Sequence, residues 1–462
     1  MIQKLYLPLQ DIMEQIQKDA PRELETEKVS TLLWRYAIPA IISSSVVALY
    51  NVVDRMYLGQ GVGAMAISGL SITFPLLVLL QAFGTLVGVG ASTRVSIVLG
   101  MKDLRWAEKI LAHSLMMLLC ISGSMIILSL FFLDPLLEIF GGSEQTIPYA
   151  KEYLIYLLPG SIFTSLSFGS AGMLRSCGYP GKSMRVILLG AILNVVLDPI
   201  FIFWFDMGIR GAAIATVISM AISAVYAQWH FFRPSSYLRY RRHAFRPKKR
   251  IIRNILAIGL SPFLMNAVSS GINIEINKLL VKHGGDLAVG VNGILAAYGM
   301  IVVMVVFGLC QGMQPIVGYN YGAGRKTRMK EAYLLTAKIA TIVTGIGFIM
   351  AMCMPRLMAR VFTNDAEMLD MTAHAIRITF VAFAVIGFQI VTGQFFQSIG
   401  KVKNAIILSL ARQIIFLCPA LYLCSIPWGL TGVWIAYPIS DVLAAALAVI
   451  MLWREKKILY SD

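Results

Sequence analysis

Charge is scarce in this 462-residue chain: Asp, Glu, Lys and Arg make up 14% of it, against 58% hydrophobic residues. A soluble domain carries about a quarter charged residues, so a water-soluble enzyme is excluded on composition. Histidine and cysteine are also few, five and six. Cys120, Cys177, Cys310, Cys353, Cys418 and Cys424 show no metal-ligand spacing and read as small apolar fillers rather than a disulfide framework. The opening residues do not read as a cleaved signal peptide either. The first 28 residues carry Asp11, Glu14, Asp19, Glu23, Glu25 and Glu27, with no basic start leading into an apolar stretch. They read as an amphipathic lead-in helix on the cytosolic side, broken at Pro21.

What fills the space is long runs without a charge: 56–93 and 287–324 (38 residues each), 111–133, 153–174, 211–232, 254–274 and 378–400. About 20 apolar residues span a bilayer as helix. The pattern predicts an all-α integral membrane protein of twelve helices, starting near Leu32, Ser68, Ala107, Lys151, Ser183, Gly211, Arg253, Asp286, Lys330, Asp370, Lys403 and Gly429. With both termini in the cytoplasm, 29 Lys and Arg fall in inner segments and 6 in outer loops. That bias sets the orientation. It also accounts for the net charge of +16 without nucleic acid. The expected organisation is a cytosolic segment 1–31, helices 1–6 over 32–233, a basic linker 234–252, helices 7–12 over 253–453 and a cytosolic tail 454–462. The linker holds the densest basic stretch, 239–250, readable as a topology anchor or as a contact for anionic lipid.

The two halves repeat each other. Gly211-Ala-Ala-Ile-Ala-Thr-Val-Ile-Ser219 recurs as Gly432-Val-Trp-Ile-Ala-Tyr-Pro-Ile-Ser440, an offset of 221. Phe83-Gly84 returns as Phe307-Gly308, Gly178 as Gly400, and Pro39 as Pro262. Six helices per repeat give both halves one orientation, as in carriers that alternate access to a central cavity.

A carboxylate inside a bilayer is costly unless paired, wet or protonated, so such residues are functional candidates. Asp54, Asp198, Glu275 and Asp441 qualify, with Arg55, Lys338, Arg377 and Arg412 as basic counterparts. Asp54 and Asp198 both fall in the outer half of their helices. Asn194 lies one turn before Asp198 on the same face, and Thr216 comes to a similar depth on the returning helix. Two acids, an amide and a hydroxyl can hold a proton or a small hard cation such as Na⁺; a structural network pinning helix 1 to helix 5 is the other reading. Glu275 is expected to pair with Lys278 or Lys282, and Asp441 with Arg412 or Arg377. Tyr50 and Tyr57, beside Asp54, suit flat hydrophobic cations by stacking and cation–π contact. The glycines of 59–63 follow no strand, so a dinucleotide site is excluded. The stretch from Gly100 to Arg105 is only loosely similar to a major-facilitator loop.

These residues resemble the multidrug and toxic compound extrusion (MATE) transporters. Tyr50-Asn51-Val52-Val53-Asp54…Gly59 is similar to that family's first-helix signature. Asn194-Val-Val-Leu-Asp198-Pro199-Ile-Phe201-Ile with Gly208…Gly211-Ala-Ala-Ile-Ala-Thr216 resembles its fifth and sixth helices. Gly312-Met-Gln314-Pro315-Ile-Val-Gly318-Tyr-Asn320-Tyr-Gly322-Ala, Gln397-Ser-Ile-Gly400-Lys and Pro438-Ile-Ser-Asp441 resemble the bacterial and archaeal DNA-damage-inducible-type branch. The match runs from about Leu32 to Trp453. The resemblance implies a V-shaped pair of six-helix lobes that export cationic or amphipathic compounds against inward H⁺ or Na⁺. It carries the first-lobe cation site onto Asp54, Asn194, Asp198 and Thr216. Another branch places acids in helices 7 and 10; here Ser270 stands at the former and the 378–400 stretch of helix 10 has no acid, which favours first-lobe coupling. Lipid-linked oligosaccharide flippases of the same superfamily are the alternative. The expectation is thus a non-enzymatic antiporter of a bacterial or archaeal plasma (inner) membrane, monomeric. No cofactor or nucleic acid is expected, and its partners are small molecules and membrane lipids.

Overall fold

The computed structural model describes residues 22–61, 64–363 and 365–456. The first 21 residues of the lead-in segment, the end of the 59–63 loop and the last six residues of the tail lie outside the described residues, as does the side chain of Arg55. Among the described residues there is no strand. Nine helical stretches are long and apolar enough to cross a membrane, and a bent pair of shorter helices makes a further span. Two of the nine are divided at a glycine, so twelve spans result. They are α1 (Val29–Gly61), α2 (Ala64–Gly100), α3 (Leu104–Phe131), α4 (Ile147–Ser176), α5 (Pro180–Pro199, continued as a π turn Ile200–Trp204) and α6 (Gly208–Phe232). The second set starts with one long helical stretch, Lys249–Gly322, which Gly285 divides into α7 (249–284) and α8 (286–322). There follow α9 (Lys326–Cys353) and α10, which is Ala366–Thr379 and Phe383–Ser398 bent by 55°. Val402–Leu410, a π turn Ala411–Leu417 and residues 418–428 make α11, and Gly429 separates it from α12 (430–454).

Most helices begin up to a turn before the charge-free runs suggest, because polar residues cap or enter the first turn. Asp103 accepts from the Trp106 N–H at 2.9 Å, and Pro180 occupies the first turn of α5. Large apolar side chains stand exposed around the helices, Ile127 (69%), Phe131 (79%), Trp204 (83%) and Ile426 (82%) among them. Such surface fits a hydrocarbon environment and not water.

The internal repeat has a backbone cause. Gly178 (φ 94°) ends α4 and Gly400 (φ 74°) ends α10. Each is followed by the same closing bond, Tyr179 N–H to Leu174 O and Lys401 N–H to Phe396 O, both 2.9 Å. Gly208 and Gly429, 221 positions apart, share φ 54° and start α6 and α12. Three residues later, Gly211 and Gly432 bring their backbones against the preceding helix. An added Cβ would lie 2.6 Å from Phe201 O and 2.0 Å from Cys424 O.

The chain forms two compact units, 22–260 with 318–324, and 261–317 with 325–456. In the first, α2 packs on α3 and α4, α4 on α6, and α1 along α5. Its core includes Leu58, Leu76, Leu154, Leu158, Ala212 and Ala213. The start of α7 belongs here too. A Cβ on Gly259 would meet Leu86 O at 1.7 Å, and one on Gly90 would meet Ile255 O at 2.1 Å. The helix Arg22–Thr26 is held by Leu24, fully buried, whose carbonyl accepts from Asn320 Nδ2 at 3.2 Å. The basic segment 234–252 lies wholly in this unit. Arg241 Nε donates to Glu108 at 2.7 Å, Tyr240 OH to Gln228 at 2.7 Å, and the Lys248 N–H to His113 Nε2 at 2.9 Å. Burial raises the Tyr240 phenol above its ordinary pKa, outweighing the hydrogen bond to Gln228. The second unit packs α9 on the latter part of α10, around Leu295, Tyr298, Phe380, Phe383 and Trp434.

Candidate functional site

Asp198 sits one turn from Asn194 on α5, and both are buried, with 0% and 1% exposure. Asn194 Nδ2 donates to Asp198 Oδ1 at 3.0 Å and to Thr216 Oγ1 on α6 at 3.1 Å. Thr216 in turn donates to Ala212 O at 3.0 Å, the intrahelical bond usual for a threonine in an apolar helix. The i, i+4 spacing predicts this stacking; the α5–α6 contact supplies the third member. Asp54 enters from α1, which packs along α5, and its carboxyl makes a side-chain contact with that of Asp198 at hydrogen-bonding range. The four residues named from the sequence therefore meet in one place.

The electrostatics of that place are unbalanced. Two carboxyl groups in contact have only acceptors between them when both are ionised, so the contact closes with a proton or a cation between the oxygens. Asp198 Oδ2 and Asn194 Oδ1 are buried and accept no hydrogen bond among the described residues. Unpaired oxygens in low dielectric cost several kcal/mol unless something positive satisfies them. The donor set is all oxygen, the set that Na⁺ and other hard cations take. Among the described residues no group of three or more His, Cys, Asp or Glu could hold a metal ion.

Tyr50 is half-buried on α1. Tyr57 packs against the first unit's core, its ring edge-on to Phe203 with centroids 6.3 Å apart. Glu275 takes the expected partner, Lys278, at 2.8 Å and also accepts from Tyr422 OH at 2.7 Å. Asp441 meets Arg412 at 2.7 Å, whereas Arg377 and Lys338 are exposed. Sequence reasoning passed over Glu108, only 2% exposed, because it stands at the expected start of helix 3, before the charge-free run, where a charge is ordinarily solvated. The Asp103 cap five residues earlier was the available signal that the helix starts sooner and that Glu108 lies a full turn inside it.

A tandem repeat of six helices with carboxyls buried inside one repeat defines a membrane carrier of the alternating-access kind. The MatE family model matches the chain twice, over residues 39–200 and 262–423, and the chain belongs to the MATE family. Members of that family are transporters and not enzymes. A solved structure of the MATE multidrug transporter DinF-BH is 37% identical, with a TM-score of 0.88, covering 95% of this chain and 98% of that one. A MOP superfamily transporter from Pyrococcus furiosus, whose binding pocket is described as of reversed polarity, is 27% identical, with a TM-score of 0.88 and coverage of 95% and 98%. The multidrug export protein MepA of Staphylococcus aureus (strain NCTC 8325 / PS 47) is 27% identical over 440 residues, 94% of this chain and 96% of MepA.

Proposed function

We propose that the chain is a multidrug efflux antiporter, exporting cationic or amphipathic organic compounds in exchange for H⁺ or Na⁺. Its setting is the plasma (inner) membrane of a bacterium or archaeon, with both termini cytoplasmic. The excess of Lys and Arg in the inner segments supports that orientation. The names of DinF-BH and MepA support the cargo class. The chain works as a monomer with no cofactor, the coupling ion taking that place.

The carrying observation is the Asp54–Asp198 contact with two buried oxygens that accept no hydrogen bond. An inward-moving proton bridges the two carboxyls and removes their charge; Na⁺ does the same by drawing on Asp54, Asp198, Asn194 Oδ1 and Thr216 Oγ1. Either ion changes the preferred packing of α1 on α5, which shifts the population between the carrier's two faces. A cationic compound prefers the ionised acids, so loading the ion weakens its hold and releases it outward. Tyr50 and Tyr57, on the same helix as Asp54, supply aromatic surface for that cargo.

The test uses inside-out vesicles with an acid interior. Addition of a lipophilic cation is expected to release protons, and Asp54→Asn to abolish the release. Release only with Na⁺ assigns sodium as the coupling ion. If Asp54→Asn still drives full gradient-dependent export, the coupling site is wrong. No response to any cation, with movement of a lipid-linked oligosaccharide instead, would make the chain a flippase.

A further inference from the structure

We propose that the second unit holds a binding site for small carboxylate-bearing organic molecules, gripped by Arg412. The inference does not depend on the cation reading of the first unit. A cavity of about 290 Å³ lies inside this unit, at the lower end of ligand pockets, which run from about 300 to 1,000 Å³. Phe307, Phe380 and Phe383 give it apolar wall. Among the described residues, Asp441 is the only carboxylate in the lining and Arg412 the only base.

The two are not equally available. Asp441 is 3% exposed and already engaged, accepting from Arg412 Nε at 2.7 Å. Arg412 makes no other hydrogen bond among the described residues, lines the cavity and keeps 25% of its side-chain surface open. A guanidinium carries five N–H donors in a planar fork, and that fork matches a carboxylate. One donor is spent on Asp441, and the others make no hydrogen bond among the described residues.

The rest of the wall is short of partners too. The amides of Asn292, Gln394 and Gln397, each buried or half-buried, line the cavity and make no side-chain hydrogen bond among the described residues. Thr379 lines it as well; it is 7% exposed, and its buried Oγ1 has no partner among the described residues. Polar groups left open inside an apolar bundle are expensive and mark sites that something polar enters. Arg412 stands in the π turn Ala411–Leu417, a distortion that often re-aims side chains at functional positions. The occupant these groups describe has a carboxylate for Arg412, an amide or similar polar group for the glutamines, and a flat apolar part for the phenylalanines.

The experiment measures binding of dansylglycine to the purified full-length protein in discs of neutral phosphatidylcholine, read as the rise in dansyl fluorescence. Dansylglycinamide is the neutral control and dansylcadaverine the cationic one. Dansylglycine is expected to bind roughly tenfold tighter than its amide, the advantage of a charge-assisted fork. Arg412→Gln alone strands a buried carboxylate, so it is paired with Asp441→Asn. The double variant is expected to lower dansylglycine affinity to that of the amide and to leave the amide unchanged. Gln394→Leu, which keeps the ion pair, is expected to weaken both about threefold. Asp54→Asn is expected to leave dansylglycine binding intact, so failure of the export reading would not touch this result. The proposal is overturned if the double variant binds dansylglycine as the native protein does, or if the native protein binds dansylglycine no more tightly than dansylglycinamide. It is equally overturned if phosphatidylglycerol in the disc displaces the probe, which would make this a headgroup site.

Discussion

The two repeats bury a carboxylate in opposite company. In the first, Asp198 faces the carboxyl of Asp54, with Asn194 and Thr216 completing an oxygen-rich cluster. In the second, Asp441 faces the guanidinium of Arg412 at 2.7 Å, and the neighbouring groups are amides. What the repeat preserves is backbone, the glycines that end α4 and α10 and start α6 and α12. What it varies is charge. On the proposed reading, an acid–acid contact is closed by a mobile cation and changes state with the ion supply. An acid–base contact closes itself and leaves the rest of the base free for an anion.

Stability separates the two arrangements most strongly. Asp441→Asn takes the counter-charge from a half-buried Arg412 and is expected to cost about 1.5–3 kcal/mol, read as a lower melting temperature in detergent. Asp198→Asn removes a repulsion and is expected to leave melting unchanged or raised. Shifts of the same sign and size in both variants would end the distinction.

Transport comes next. Asp54→Asn is expected to abolish gradient-driven export, and Asp198→Asn to slow it roughly 5- to 150-fold, the span of coupling energies of about 1–3 kcal/mol. The readout is cation-triggered proton release, at equal protein level.

Packing gives a smaller contrast. Gly259→Ala drives a Cβ toward Leu86 O, 1.7 Å away, and is expected to destabilise the first unit by about 1–3 kcal/mol. Gly345→Ala in α9 meets nothing within 4 Å and is expected to be neutral or stabilising by up to about 1 kcal/mol. Thermal melting of the two variants side by side checks this.

The smallest effect lies at the end of α12. The hydrogen bond from Lys401 holds the Glu455 carboxyl below its ordinary pKa, and Asn404 adds to it against a modest opposing effect of burial. A depressed carboxylate contributes stability that is complete above its ordinary range and is lost as pH falls through the depressed value. The protection of the amides in the last turn of α12, that is their exchange relative to the intrinsic rate at the same pH, is therefore expected to fall on going from about pH 7 to about pH 3. Glu455→Gln should flatten that dependence.

Much of this was readable in the chain. Charge-free runs mark the spans because no water satisfies a charge in hydrocarbon, and the glycine offsets mark the repeat because positive φ admits little else. The Asn194–Asp198 stacking followed from helical spacing alone. Less legible were Glu108, hidden at a helix start, and the choice of Arg412 over Arg377 for Asp441. That choice depends on how α11 turns through its π segment, and a local sequence does not announce a π turn.

The sequence by itself determined the class of solvent, the number of spans, the twofold repeat and the residue types that a membrane tolerates only for a reason. These follow from composition and period, which act residue by residue along the chain. The tertiary structure decided which of those residues meet. Asp54 reaches Asp198, and Arg412 takes Asp441 beside an amide-lined cavity, because helices distant in sequence pack side by side; contact between them is a property of the packing and not of any one segment.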